Sequence, residues 1–291
     1  MLIWLVLIPL IAAALIGLCK APARPTALLS ASLTLALGIW ALVSFDGCSS
    51  CWSRFEGMDL QLTLAPALSK VMLLLTILVT FATVLGTTPP QGGEASWYNS
   101  ALLISAGATG AFLSDNIISF FAFHELALIP TFVMIGLYGR GDRRTTAWRA
   151  TLYLGLASMV LLAALLMIGT QAGFTFSGLK DFMASGRELA HAELIGALLI
   201  AGFGTLISLF PFHSWAAPAY ASAPAPVAMM HAGVLKKFGL YGLFMFQPLM
   251  ETGFLPWTNI LLVLLVCNVI WVGYVTVNQK RLDLLLGNSS D

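Results

Sequence analysis

Long apolar runs recur along nearly the whole chain, and they constrain its fold more than any other feature. Nine of them are about as long as a bilayer-spanning helix, at 2–18, 27–44, 66–87, 98–113, 115–138, 146–169, 193–211, 225–247 and 256–276. About 20 apolar residues in a helix cross the hydrocarbon core of a bilayer. Only 9% of the 291 residues are charged, against about 25% in soluble domains. The sequence therefore predicts an all-α polytopic membrane protein with nine transmembrane helices.

The basic residues predict how these helices are oriented. With the N-terminus outside, eight of them fall on the cytoplasmic side: Lys20, Arg24, Arg140, Arg143, Arg144, Arg149, Lys280 and Arg281. Four fall outside: Arg54, Lys70, Lys180 and Arg187. This bias follows the positive-inside rule. The first segment has no positive n-region and no small-residue cleavage site, so we expect it to be retained as a helix. A net charge of +1 argues against a nucleic-acid partner.

Three ionisable residues lie inside otherwise apolar segments: Glu125, Lys236 and Lys237. A charge at bilayer depth costs at least ~2.5–3.5 kcal/mol, so such residues usually mark ion or proton paths. Glu125 lies ten residues beyond Asp115, which is ~15 Å along the helix axis at 1.5 Å per residue. The alternative to a proton path is a structural role, in which Glu125 is protonated and hydrogen-bonded to a neighbouring helix. The lysines are too far from a helix end to snorkel, and on one helix they point ~100° apart.

Histidines accompany these residues. His231 precedes the two lysines on the same predicted helix, and His213 follows Pro211. Imidazole exchanges protons near neutral pH, so each histidine is either a relay member or a satisfied core residue. His124 is expected to point to a different face from Glu125 and to fill a gap between helices. Haem ligation would require histidine pairs on facing helices, and the sequence sets out no such pairs.

Four prolines forbid a continuous helix through 211–226: Pro211, Pro218, Pro224 and Pro226. Broken backbone at membrane depth is tolerated only where protein or a water-filled cavity covers it. Transporters commonly interrupt helices at the depth where they bind ions. A break near Pro211 beside titratable residues therefore indicates transport.

The connecting segments carry weaker signals. We expect Asp115 to cap the fifth helix, 172–192 to form a short amphipathic surface helix, and 45–65 to be an irregular outer loop. Cys48 and Cys51 in that loop form either a local disulfide or a silent pair, because a single CxxC lacks the second pair of a zinc site. The chain ends in the first turns of another helix, which we interpret as truncation.

Two motifs resemble a known family. The family is that of the antiporter-like subunits of respiratory complex I. Its fifth-helix motif resembles FFAFHELALIP, and its seventh-to-eighth-helix motif resembles LFPFHSW with APAYASAPAPVAMMHAGVLKKFGLYGL. The resemblance is greatest to the M-type subunits of bacterial NADH–quinone oxidoreductase. The resemblance covers about 98–290. It implies a fourteen-helix fold with inverted five-helix repeats. On this scheme 1–97 is an N-terminal three-helix region, 98–247 is the first repeat, and 248–291 begins a second, truncated repeat.

The resemblance also implies residue roles. Glu125 matches the family's fifth-helix glutamate, Lys237 the eighth-helix lysine, and His231 an eighth-helix histidine of related subunits. Leu206 stands where the family has a seventh-helix lysine. Either Lys236 substitutes for that lysine, or this half-channel works differently. We expect the first, with Lys236 turning toward Glu125 or toward the break near Pro211. The candidate relay is Glu125, Lys236, Lys237, His231 and His213.

The implied function is proton translocation in NADH–quinone oxidoreductase, in a bacterial inner membrane and among other membrane subunits. The sequence has no glycine-rich nucleotide fingerprint and no cysteine framework for iron–sulfur clusters. We expect no cofactor or metal in this chain, with NAD, FMN, iron–sulfur clusters and quinone in partner subunits. One alternative is a subunit of a cation/proton antiporter or membrane-bound hydrogenase. The other, which Leu206 makes conceivable, is a non-pumping membrane scaffold.

Overall fold

A computed structural model describes residues 1–44, 49–55, 58–89, 92–250, 257–280 and 282–288. Its elements are, in order, α1 (Ile3–Gly17), α2 (Ala23–Ser44), β1 (Ser49–Phe55), β2 (Met58–Thr63), α3 (Ala67–Gly86), α4 (Glu94–Leu113), α5 (Ile117–Tyr138), α6 (Arg143–Ala172), α7 (Phe176–Ala184), α8 (Ala192–Leu206), a 3₁₀ helix (Phe212–Trp215), α9 (Ala216–Ser222), α10 (Ala225–Met230), a π-helical turn (His231–Leu235), α11 (Lys237–Met250), α12 (Trp257–Val277) and α13 (Leu282–Asn288).

The chain divides into two compact units. The first comprises Met1–Met134 with Ala225–Leu235, and the second comprises Ile135–Pro224 with Lys236–Asp291. This division follows contacts and does not test the proposed repeat boundaries at 97 and 247, which stay predictions.

In the first unit, α1, α2, α3 and α4 pack together, and α10 and the π-helical turn pack against α3. Leu5, Leu73, Ile77 and Leu113 belong to a buried apolar cluster. Gly107 permits a close approach between two helices. A Cβ atom there would lie 2.6 Å from the carbonyl oxygen of Phe123 in α5. A small residue at this position allows two membrane helices to pack backbone to backbone.

The segment predicted as an irregular loop contains an antiparallel hairpin, so that prediction was wrong. β1 pairs with β2, and Ser50 lies opposite Leu62. Leu62 also bridges to Ser114, so the hairpin is attached to the turn between α4 and α5. The cap of α5 is also one residue later than predicted: Asn116 Oδ1 accepts from the amides of Ile118 and Ser119. Both alternatives for Cys48 and Cys51, a local disulfide or a silent pair, involve residue 48, which lies outside the described residues.

In the second unit, α8 packs against α6 and α11, and α13 packs against α9 and α12. The short helix α7 has the predicted amphipathic character: Phe176, Leu179 and Phe182 are buried and Lys180 is exposed. The Phe176 and Phe246 ring centroids are 5.2 Å apart, which ties α7 to α11.

The predicted break near Pro211 is confirmed. α8 ends at Leu206, and the chain continues through the 3₁₀ helix into the seven-residue α9. The prediction of one uninterrupted helix at 225–247 was wrong. That stretch is α10, the π-helical turn and α11 in succession. Lys236 lies in the turn between the π-helical segment and α11, and Lys237 is the first residue of α11, so the two lysines do not share one regular helix.

Within the described residues, five helices are long and apolar enough to cross a membrane: α2, α3, α5, α6 and α12. The apolar helices α1 and α8 have 15 residues each. The count of nine spans is therefore not confirmed. The multi-pass, mainly helical character of the chain is confirmed. Many large apolar side chains on these helices face outward, as they do on lipid-facing surfaces.

Candidate functional site

Glu125 lies in the middle of α5, in the first unit. Its side chain is 29% exposed, and its Oε1 is 3.2 Å from Nδ1 of His124, whose side chain is 1% exposed. The two groups form an ion pair when the imidazole is protonated. The contact does not have hydrogen-bond geometry, because neither Nδ1 of His124 nor Oε1 of Glu125 makes a hydrogen bond within the described residues.

The sequence analysis missed this pairing. Adjacent residues on a helix project ~100° apart and do not normally face each other, so His124 was expected to address a different neighbour. The side-chain torsions bring the two groups together, and the sequence offers no signal for those torsions. The ring of Phe121, one turn earlier, lies 6.3 Å from the His124 ring.

His231 is the first residue of the π-helical turn and is 5% exposed. The turn packs against α3, where a Cβ atom on Gly233 would lie 3.3 Å from Cγ2 of Val79. π-helical turns are uncommon and frequently occur at functional sites. His231 is therefore a titratable group on an irregular, tightly packed piece of helix in the first unit.

Lys236 follows the π-helical turn directly and belongs to the second unit. It is only 6% exposed. Its Nζ lies 5.6 Å from the centroid of the Tyr220 ring in α9. An ammonium over an aromatic face gains ~0.5–2 kcal/mol, the larger values applying where water is excluded. The lysine thus lies against α9, within the proline-rich segment 211–226; its substitution for the missing seventh-helix lysine stays a prediction.

Lys237 and His213 are less enclosed. Lys237 is half-buried at the start of α11. His213 is half-buried in the 3₁₀ helix, with its ring stacked on Phe210 at 5.7 Å between centroids. Leu206, at the position where a lysine was expected, is the last residue of α8 and is buried. Of the three candidate relay residues in the second unit, Lys236 is deeply buried, and Lys237 and His213 are partly accessible.

Two side chains that the sequence analysis missed satisfy the broken backbone. Asn268 of α12 accepts a 2.9 Å hydrogen bond from the amide of Phe210, and the indole Nε1 of Trp215 donates to the carbonyl of Thr205 at 3.0 Å. Protein thereby covers the backbone that the break exposes, as membrane depth requires. The sequence signal for the role of Asn268 is a polar residue within the apolar run of α12.

A family described as "NADH:quinone oxidoreductase/Mrp antiporter, TM" matches residues 114–290. This match takes in α5 with Glu125, the proline break and both lysines. The chain belongs to this family.

Relatives support the same assignment. The chain is 31% identical over 230 residues to "NAD(P)H-quinone oxidoreductase chain 4 2" of Microcystis aeruginosa, covering 77% of this chain and 41% of that protein. It is 29% identical over 246 residues to "NAD(P)H-quinone oxidoreductase chain 4 1" of Picosynechococcus sp., covering 82% and 45%. The chain thus spans less than half the length of these curated relatives.

Solved structures share the fold. A chain of respiratory complex I from Thermus thermophilus with bound NADH superposes with a TM-score of 0.86 at 25% identity, covering 100% of this chain and 62% of that one. A chain of the Mrp complex from Dietzia sp. gives 0.83 at 22% identity, covering 99% and 32%. Both neighbours belong to multisubunit membrane complexes.

Proposed function

We propose that this chain is a proton-translocating membrane subunit of an NADH–quinone oxidoreductase. The family match, the names of the relatives and the complex I fold support the assignment. The observation that carries the proton-transfer part is Lys236, a cation that is 6% exposed and held over Tyr220 beside the proline break. Burying a charge is costly, and intramembrane charges with an identifiable environment are functional candidates by default.

Five side chains are the proposed relay: Glu125, His213, His231, Lys236 and Lys237. Each is an acid or base whose proton can leave and return, which an arginine could not do. Glu125 exchanges its proton with His124 across the 3.2 Å contact. We add His124 to the set on that ground. In the second unit, Lys236 is the group that loses and regains a proton during turnover.

Redox chemistry is proposed to take place in partner subunits. NADH, FMN, iron–sulfur clusters and quinone belong there on this account, because this sequence offers neither a nucleotide fingerprint nor a cluster framework. The chain would contribute a proton path to an assembly of membrane subunits in a bacterial inner membrane. We place its N-terminus outside, on the basis of the basic residues, and retain the inverted-repeat arrangement with 98–247 as the first repeat.

A cation/proton antiporter subunit is the second candidate, and the Mrp complex fold favours it. The two functions differ in the source of energy. An oxidoreductase subunit moves protons only while partner subunits oxidise NADH, whereas an antiporter exchanges protons for Na⁺ or another cation down a gradient. A buried Leu206 at the expected lysine position keeps a third possibility, a non-pumping scaffold, as an outcome of the test.

The assembly containing this chain should be purified from its membrane and reconstituted in liposomes. NADH with a short-chain quinone should acidify the lumen, and a protonophore should abolish the signal. Co-purification of flavin and iron–sulfur subunits is expected. A Na⁺ gradient that drives proton movement without NADH would assign the antiporter function instead. NADH oxidation with unchanged proton movement after loss of every relay residue would assign the scaffold role.

A further inference from the structure

One face of α6 borders two cavities in the second unit, and the two cavities differ in polarity. The helix packs against α8, the 3₁₀ helix and α9. Thr146 lines the first cavity, whereas Tyr153, Ala157 and Val160 line the second. At 3.6 residues per turn these four positions fall within about 60° of the helix circumference. The two cavities therefore lie on one side of α6, about 10 Å apart along its axis.

The first cavity, which we call the polar cavity, has a volume of about 280 Å³. Arg140 and Thr146 line it on one side, and Ser222 of α9 lines it on the other. Two hydrogen bonds join these sides. The amide of Arg140 donates to the carbonyl of Ser222 at 2.7 Å, and the hydroxyl of Ser222 donates to the carbonyl of Arg140 at 2.8 Å. The backbone is thus held in place on both sides of the cavity.

Arginine determines the charge around the polar cavity. Four arginines lie between 140 and 149: Arg140, Arg143, Arg144 and Arg149. One acid, Asp142, lies among them and lines the cavity together with Arg140. Its Oδ1 accepts from the amide of Thr145 at 3.4 Å, as the N-cap of α6. The excess of positive charge favours an anionic ligand, and guanidinium groups are well shaped to bind phosphate.

The second cavity, which we call the apolar cavity, has a volume of about 300 Å³ and an almost wholly apolar lining. Ala201 of α8 and Phe212 of the 3₁₀ helix contribute to it. Leu152 and Leu156 of α6 also line it and are 58% and 68% exposed, so the cavity opens on the surface of the chain. Cavities lined by apolar side chains stay dry and take apolar ligands.

The change from polar to apolar along α6 matches the layers of a bilayer. The headgroup region adds about 5–8 Å on each side of the hydrocarbon core, and the ~10 Å between the cavities is enough to cross it. Trp148 lies between Thr146 and Tyr153 and is 67% exposed. Exposed tryptophans are enriched at the membrane–water interface. The polar cavity therefore matches the headgroup level, and the apolar cavity matches the hydrocarbon beneath it.

We propose that the two cavities together bind one anionic phospholipid, with its phosphate beside Arg140 and Thr146 and an acyl chain in the apolar cavity. The guanidinium and the threonine hydroxyl donate hydrogen bonds to phosphate oxygens. Basic pockets between membrane helices bind anionic lipid headgroups. The site lies within the second unit and does not depend on whether the chain translocates protons.

The first test labels the site with a photoactivatable lipid. The assembly that contains this chain is reconstituted in liposomes with a trace of phosphatidylglycerol or phosphatidylcholine that carries a diazirine on one acyl chain, and labelled peptides are identified by mass spectrometry. The anionic probe should label 152–160 about fivefold more than the zwitterionic probe, the effect of one basic residue at a membrane surface. Equal labelling by the two probes would show ordinary annular lipid. Absence of label from both would show that a partner's helix covers this face, and either result would overturn the proposal.

The second test removes the groups that bind the phosphate. The double variant Arg140→Gln, Thr146→Val should lose the preference for the anionic probe. Arg24→Gln, at an exposed arginine in the first turn of α2, is the control and should keep that preference. An unchanged preference in a fully assembled double variant would contradict the proposal. Excess inorganic phosphate should leave labelling unchanged, and loss of labelling in phosphate would assign the polar cavity to a free anion instead.

The third test fills the apolar cavity. Ala201→Phe places a ring where the acyl chain is proposed to lie, and should lower the labelling of 152–160 by the anionic probe. Ala197→Phe, one turn earlier on α8 and also half-buried, is the matched control and should be labelled like the wild type. Equal labelling of the two assembled variants would show that the acyl chain does not occupy this cavity.

Discussion

The ammonium nitrogen of Lys236 lies 5.6 Å from the centre of the Tyr220 ring. This contact joins the residue that follows the π-helical turn to α9, the short helix that follows the proline break. The ring presents its negative face to the buried ammonium. The arrangement therefore stabilises the cation by a modest amount.

The aromatic face can be tested separately from the hydroxyl group of Tyr220. Tyr220→Leu removes the ring over which Lys236 sits, and should lower NADH-driven proton translocation because the cation loses ~0.5–2 kcal/mol of stabilisation. Tyr220→Phe keeps the ring and should retain most of the rate. Proton uptake by a pH-sensitive dye in liposomes measures both. Equal loss in the two variants would show that the hydroxyl, not the ring, matters.

Glu125→Gln should abolish coupled proton translocation while leaving assembly intact, since the amide keeps the shape but cannot exchange a proton with His124 across the 3.2 Å contact. Glu94→Gln is the matched control, because Glu94 is exposed in the first turn of α4. Translocation and subunit content should be measured on the same preparation. Normal translocation in an assembled Glu125→Gln variant would remove Glu125 from the relay.

Gly107 should be intolerant of any larger residue. A Cβ atom there would lie 2.6 Å from the backbone of α5, and real contacts of that length do not occur without displacement of a helix. Gly107→Val should therefore lower the melting temperature and the yield of the assembly. Gly155→Val in α6 is the control, because nothing lies within 4 Å of its added Cβ. Equal yields of the two variants would contradict the α4–α5 packing.

Single cysteines at Thr145 and Ala65 should react from opposite sides of the membrane. Both residues are exposed. The positive-inside rule places Thr145 in the cytoplasm and Ala65 outside. In a background without the native cysteines, an impermeant thiol reagent added to intact cells should label Ala65→Cys, and should label Thr145→Cys only after permeabilisation. Labelling of both in intact cells would refute the orientation.

The sequence predicted the features that follow from strong physical constraints. Apolar runs identify the long helices, because lipid leaves few alternatives to a helix. Pro211 and its successors locate the break, because proline cannot continue a helix. Glu125 and the two lysines stand out, because charge is rare at this depth.

The remainder depends on contacts between distant parts of the chain or on side-chain torsions. The π-helical turn at His231 has no composition signal of its own, so the sequence predicts one helix over 225–247. The His124–Glu125 approach depends on torsions that residue spacing does not encode. Asn116 and Asp115 are both good capping residues, and only the backbone shows which of them occupies the cap of α5.

The most direct test of the account is the number of protons translocated per NADH oxidised after Lys236→Met. The thioether fills a similar volume but carries no proton, so the variant should assemble, oxidise NADH with an artificial electron acceptor at the wild-type rate, and translocate fewer protons per NADH. Lys180→Met, at an exposed lysine on α7, should match the wild type. A fully assembled Lys236→Met variant with the wild-type proton-to-NADH ratio would contradict the account.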